Sequence, residues 1–142
     1  MGMKKKESGH QEDKFQNIIH REKPLYYHLL GIDVLDVKFG YAKLRMNYDL
    51  KLTNPYGYVN GGFFSVLADA TVACALLGMT EGNRELVTLE YKLNLMTPFR
   101  KGFLISKARI IDLANEIAVG EVKIRNQTGS LVANALITYS IK

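Results

Sequence analysis

The chain has no tryptophan, one cysteine, three prolines and three histidines among its 142 residues. A lone Cys74 cannot close an intrachain disulfide, so the fold must hold by packing alone. It lies inside an apolar segment, where it reads as a small core residue rather than a nucleophile, and such sparing use of cysteine fits a reducing cytoplasm. His10, His20 and His28 all precede the core and lack ligand-like spacing. That leaves no legible metal site, no implied cofactor and no histidine for acid-base work in the rest of the chain. Long apolar runs are missing too. The longest, Phe63 to Met79, is interrupted by Asp69 and falls short of the roughly 20 residues a bilayer span needs. No apolar stretch follows the charged start Met1 to Lys6, so no secretory signal is read, and the expectation is a cytoplasmic protein with no membrane partner.

The formal net charge is +5. A modest basic excess suits a small polyanionic ligand such as a nucleotide phosphate. The basic residues are not interleaved with aromatics in a nucleic-acid pattern, so no nucleic-acid partner is expected. Arg100, Lys101, Lys107 and Arg109 form the densest basic cluster. Arg100 and Lys101 follow Pro98 in a loop where phosphates could dock, and a solvated strand edge would carry the same charges.

Residues 1–14 are polar without apolar periodicity and read as a disordered lead-in to a single domain over 15–142. Phe15, Ile18, Ile19, Leu25, Leu29 and Leu30 recur at helical intervals, giving one or two short peripheral helices with Pro24 at the start of the second. From Ile32 the period becomes two, and a strand pair turns at Lys38-Phe39-Gly40. A loop from Lys51 to Asn60 leads into an apolar helix from Gly61 that ends near Gly78 to Gly82. Four alternating segments follow, at about 86–97, 102–112, 116–126 and 131–141, whose short connections predict antiparallel neighbours. The fold class is α+β: an antiparallel sheet curled around one long buried helix, with a second subunit covering what the sheet leaves open.

Within that helix Asp69 is the only charged residue. Burying an ionised carboxylate costs several kcal/mol unless it is paired, hydrogen-bonded or protonated, so Asp69 needs a reason beyond packing. One reason is a carboxylate satisfied by nearby donors and serving dimer specificity alone. The other is catalysis. The glycines Gly61 and Gly62 at the helix start leave N–H groups without intrahelical partners, and the helix dipole adds positive potential there. A developing oxyanion would be stabilised at such a place.

The run from Asn54 through Gly57, Asn60, Gly61 and Gly62 to Asp69 resembles the N-x-x-G-x-x-H-G-G-x₆-D signature of hotdog-fold acyl-CoA thioesterases. The resemblance is to the PaaI-like branch of the 4-hydroxybenzoyl-CoA thioesterase superfamily. It continues through Leu30-Gly31-Ile32, Leu95 to Pro98 with Gly102, and Gly129 to Ala133, covering nearly everything after residue 24. It implies that the Gly61 N–H polarises a thioester carbonyl and that Asp69 is the general base or the nucleophile. It further implies that Asn54 holds the water or the carboxylate and that Thr88 supplies a hydroxyl nearby. A solvent-side strand threonine would explain Thr88 equally well. Eight residues at about 1.5 Å each separate Gly61 from Asp69 by roughly 12 Å along the axis, too far to serve one carbonyl from one chain. If both act together, Asp69 meets the Gly61 of a second, antiparallel subunit, and the resemblance implies the same homodimer or dimer of dimers.

The chain departs from the signature at Asn60, where many relatives carry histidine. Asparagine can hydrogen-bond but cannot carry a proton near neutral pH. Around these residues Tyr58 and Phe63, with Phe64 and Leu67, suggest an apolar acyl chamber, and Gly62 lets a substrate approach the backbone. Tyr26, Tyr27 and Tyr56 would suit either a pocket or a dimer seam. The implied function is hydrolysis of an acyl- or aryl-CoA thioester to acid and CoA. The alternative is a catalytically silent acyl-CoA binder, which Asn60 leaves open. A hydratase on the same fold would want an Asp with a His, and no histidine lies beyond residue 28.

Overall fold

The computed structural model describes residues 2–81 and 84–142. In chain order they form α1 (Gly2–His20), α2 (Leu25–Leu30), β1 (Ile32–Lys38), β2 (Tyr41–Asn47), a single 3₁₀ turn (Leu50–Leu52), α3 (Gly61–Leu77), β3 (Leu86–Leu95), β4 (Phe103–Ala114), β5 (Ile117–Asn126) and β6 (Leu131–Ile141). The six strands make one antiparallel sheet in the order β1-β2-β4-β5-β6-β3.

The sheet curls around α3 because each strand alternates. Ala42, Leu44 and Met46 of β2 and Leu104, Ser106 and Ala108 of β4 are buried against the helix, while the residues between them face outward. Phe64, Leu67, Ala68, Thr71, Val72, Ala75 and Leu76 line the buried side of α3. Two details fix its seat. Thr71 Oγ1 donates to Leu67 O at 2.6 Å and lies 2.7 Å from Ser106 Oγ, so the one polar pair in this packing is satisfied. At Gly120 a Cβ would fall 2.8 Å from Val72 Cγ1, so the helix rests almost on the β5 backbone. The remaining stripe, Gly62, Ser65, Val66, Asp69 and Ala73, stays partly open in the single chain.

Two expectations need correction. Residues 2–14, read as a disordered lead-in, are helical and continue α1; Met1 lies outside the described residues. Ile18 is buried and Phe15 and Ile19 pack on the core, Lys14 Nζ donates to Thr80 O, and Lys23 Nζ caps the Ile18 and Ile19 carbonyls at 2.6 and 2.8 Å. Once those turns are anchored, each further residue adds a hydrogen bond at low cost. The second correction is topological. β3 and β4 are not neighbours: β3 crosses to the far edge and pairs with β6. Their connection is no hairpin but a tied crossing, in which Met96 N–H donates to Val132 O at 2.8 Å and Phe99 O accepts from Val59 N–H at 2.9 Å.

Candidate active site

Asp69 lies midway along the open stripe of α3, half-buried. Its Oδ1 accepts two hydrogen bonds, one from Thr88 Oγ1 and one from Tyr139 Oη, each 2.7 Å. Tyr139 Oη is also 3.1 Å from the Asp69 carbonyl oxygen. The sheet creates this arrangement. Thr88 of β3 and Tyr139 of β6 are directly opposite in register, and the β3 irregularity between Thr88 and Glu90 follows at once, so both hydroxyls face the helix from one cross-strand pair. Burial above all, together with the Asp69 carboxylate beside it, pushes the Tyr139 phenol far above the usual tyrosine range. Tyr139 is therefore a neutral, fixed donor. No described residue donates to Asp69 Oδ2, and none of the buried side-chain oxygens lacks a partner, so Oδ2 stands open to an incoming molecule.

The helix N-terminus forms a second centre. Asn60 is the N-cap of α3, its Oδ1 accepting from Gly62 N–H at 2.9 Å. That engages the Gly62 N–H, which was expected to be free for a substrate. The Gly61 N–H has no acceptor among the described residues and keeps the positive end of the helix to itself. A Cβ at Gly61 would lie 2.8 Å from Leu95 Cδ1, so only glycine leaves the approach to this N–H open without displacing Leu95. Asn54 organises the preceding loop. Its Oδ1 accepts from Tyr56 and Tyr58 N–H at 2.9 and 3.2 Å, which commits the oxygen to the turn and leaves the amide NH₂ for other partners.

Asn54 and Gly61 share a cleft of about 430 Å³ with Tyr58, Phe64, Leu95 and Phe99. Arg100 sits at its rim, the guanidinium 5.5 Å from the Tyr58 ring centroid, and Lys101 beside it is exposed. Not every expected residue joins this group. Phe63 packs partly against the core and does not line the cleft, and Leu67 is fully buried. Lys107 and Arg109 lie on the outward sheet face, well away from Arg100. Tyr56 projects into solvent, and Tyr27 is buried with its hydroxyl 3.4 Å from Cys74 Sγ, whose pKa burial pushes up. The three histidines are exposed. Tyr139 was missed from sequence, although a tyrosine among inward aliphatic residues signals a buried hydroxyl that needs a partner.

Asp69 takes no part in the Gly61 cleft within one chain. The two centres are a polar carboxylate with one free oxygen and a bare N–H beside an apolar slot.

Comparison with known proteins places this chain in a family. Residues 56–133, more than half of the chain, match the thioesterase superfamily. A 1,4-dihydroxy-2-naphthoyl-CoA hydrolase of Listeria monocytogenes is 26% identical over 113 residues, covering 80% of this chain and 92% of its own. The crystal structure of thioesterase HI1161 from Haemophilus influenzae superposes with a TM-score of 0.78 at 25% identity, covering 82% of each chain. The Escherichia coli PaaI protein, from the phenylacetic acid degradation operon, shares the fold with a TM-score of 0.81 at 20% identity, covering 92% of this chain and 93% of that one. By sequence and by fold, the chain is a hotdog-fold thioester hydrolase belonging to the thioesterase superfamily.

Proposed function

We propose that this protein hydrolyses acyl-CoA thioesters at a site shared by two chains. The observation that carries the reading is the Asp69 carboxylate, held through Oδ1 by Thr88 and Tyr139 with Oδ2 free, on the one stripe of α3 that the sheet leaves open. A carboxylate fixed through one oxygen can take a proton or attack through the other.

In this mechanism the thioester carbonyl oxygen receives the Gly61 N–H of the partner chain, where the helix dipole stabilises negative charge as the carbonyl carbon becomes tetrahedral. Asp69 Oδ2 removes the proton from water as the water oxygen attacks, and Asn54 orients that water with its free NH₂. The C–S bond then breaks, the CoA sulfur leaves with the electron pair, and it takes up a proton. In the covalent variant Oδ2 itself attacks the carbon, giving a mixed anhydride that water opens. Arg100 and Lys101 stand at the rim where CoA phosphates would meet them. The apolar, aromatic cleft and the aryl-CoA named for the Listeria relative support an aryl acyl group.

The two-chain site draws support from β3. It is an edge strand paired only with β6, and Leu89, Tyr91 and Leu95 are 56%, 54% and 49% exposed. An edge that apolar is an aggregation hazard unless another copy covers it. Asn60 supports turnover over silent binding, since its task is a helix cap that needs no titrating group.

The test is free-thiol release from aryl, short and long acyl-CoAs by wild type and Asp69→Asn. Loss of turnover by at least about a hundredfold with binding retained is expected, because the base or nucleophile is gone while the cleft is untouched. Equal rates for the two proteins would remove Asp69 from the mechanism. Binding without turnover by wild type would establish the silent acyl-CoA binder.

A further inference from the structure

The outward face of the sheet carries an arrangement that packing does not require. Lys43 of β2 is directly opposite Lys107 of β4, and Lys107 is directly opposite Lys123 of β5. Three lysines thus stand side by side in one row, their Cβ atoms roughly 5 Å apart from strand to strand. Like charges in that position are destabilising, and strands normally alternate sign there. The next rows add Arg109 on one side and the pair Arg45 and Arg125, flanking Ile105, on the other.

The acids available do not neutralise the row. Glu121 lies opposite Arg109, and Asp36 and Asp33 of β1 lie opposite Lys43 and Arg45. Yet among the described residues the ion pairs within 4 Å are Lys38–Asp36 and Lys51–Asp49, and neither involves the three lysines. Arg125 donates to Gly129 O and is fixed as a wall, Arg45 stacks on Phe103, 3.9 Å from the ring centroid, just outside, and the lysine ammonium groups are uncommitted among the described residues. Lys43, Lys107, Lys123 and Arg125 line a groove of about 590 Å³, with Arg109 and Glu121 paired across strands at one end.

We infer that this groove is a binding site for a compact anion bearing two or more linked phosphates, separate from the catalytic cleft. Charge selects the occupant. A second copy laid on this face with its two-fold axis through the row would set lysine against lysine, which disfavours that contact. Size selects further. Three flexible lysine stems rooted about 5 Å apart can converge their ammonium groups on the oxygens of one small polyphosphate, and the patch spans only three strands with the acids of β1 closing one side. A nucleic-acid strand would need a longer basic track. The linked phosphates are those of a free nucleotide-type anion; the CoA end of the substrate, read above as meeting Arg100 and Lys101, is the other source of the same chemistry, and kinetics separates the two.

Inorganic tripolyphosphate is the probe, with the 142-residue chain and its variants Lys107→Gln and Lys123→Gln. Without the anion, Lys107→Gln should melt higher than wild type, on the order of 2 °C, because it relieves repulsion on both sides. With tripolyphosphate the order should reverse, since wild type gains binding energy that the variant has lost. Calorimetric affinity should fall roughly tenfold for each lysine removed. Both side chains point to solvent, so the variants fold. A wild-type melting point unmoved beyond a sodium chloride control of equal ionic strength would overturn the inference. So would tighter binding of a single-stranded oligonucleotide with the same number of phosphates. The source is read from kinetics. A KM raised in Lys107→Gln for acyl-CoA but not for the acyl-pantetheine would assign the phosphates to the substrate, and an unchanged KM would assign a separate ligand. Melting and calorimetry need no catalysis, so they stand apart from the fate of the thioesterase reading.

Discussion

Asp69 shows how one carboxylate can be held firmly and still present an open oxygen. Both donors, Thr88 and Tyr139, use the same oxygen, so the carboxylate is fixed in plane and direction while Oδ2 keeps its lone pairs. In the proposed mechanism Tyr139 acts through Asp69, as a positioning residue. Tyr139→Phe keeps the ring and removes one charge-assisted hydrogen bond, so stability at neutral pH should fall by about 1.5 kcal/mol. kcat should drop roughly tenfold with KM little changed, a split that a merely structural role would not give. The phenol also sets an alkaline limit. The Tyr27 and Tyr139 phenols are both raised above the ordinary value near 10 by burial first. Above about pH 10 the unfolded chain therefore releases protons that the folded chain retains, and stability falls as pH rises. Each tyrosine contributes a slope of roughly 1.4 kcal/mol per pH unit there. Burial also raises Cys74, Tyr26 and Tyr41, so urea unfolding between about pH 9 and 11 should show an alkaline slope that is shallower in Tyr139→Phe by up to this one-tyrosine share, and an unaltered slope would mean that Tyr139 is not buried as described. Asp69, Gly61 and Thr88 could be picked out from the chain because charge in an apolar helix, paired glycines and a hydroxyl at a family position are local signals. Tyr139 could not, since its role depends on which strand lies beside β3.

At the level of elements, that strand partner is the main thing periodicity leaves undetermined. Alternation at period two located all six strands to within a few residues, and the short β4–β5 and β5–β6 connections gave their pairing directly. Alternation carries no information on which edge a strand joins after a longer connection, and inference from loop length fails where residues 96–102 are tied across the molecule rather than turned back. The lead-in over 1–14 failed for a related reason, because helix propagation from an anchored turn needs no apolar pattern of its own. The β4–β5 turn offers a clean test of local chemistry. Ala114 pairs with Ile117 around a two-residue loop whose members, Asn115 and Glu116, have φ of 53° and 74°. Asparagine tolerates that conformation, whereas glutamate is strained in it by about 1 kcal/mol. Glu116→Gly should recover that strain less the entropy glycine loses on folding, a net gain of about 0.5 kcal/mol. The melting temperature should rise on the order of 1–2 °C with activity unchanged. A fall would show that the Glu116 side chain contributes more than its backbone costs.

For the whole molecule the deciding question is whether one chain contains a complete site. The carboxylate and the bare N–H are on the same helix but do not share a cleft, and a straight helix keeps them roughly 12 Å apart along its axis. A two-fold axis beside the open stripe would run the helices antiparallel, bring the Asp69 of one chain to the Gly61 of the other, and repeat the contact, giving two sites per dimer. Subunit mixing tests this without a structure of the complex. Asp69→Asn and Gly61→Val should each abolish turnover as homodimers, one by losing the base or nucleophile and the other by blocking approach to the N–H. In a heterodimer, the Gly61→Val chain supplies an intact Asp69 and the Asp69→Asn chain an intact Gly61, so one of its two sites is whole. Random pairing of equal amounts makes half of the dimers mixed, so about a quarter of wild-type activity should return. Differently tagged chains, refolded together and purified through both tags, should rise to about one half, because every dimer then carries one good site. If such a purified heterodimer stays as inactive as its parents, each site is built within a single chain, and α3 would have to bend or break to join Asp69 to Gly61.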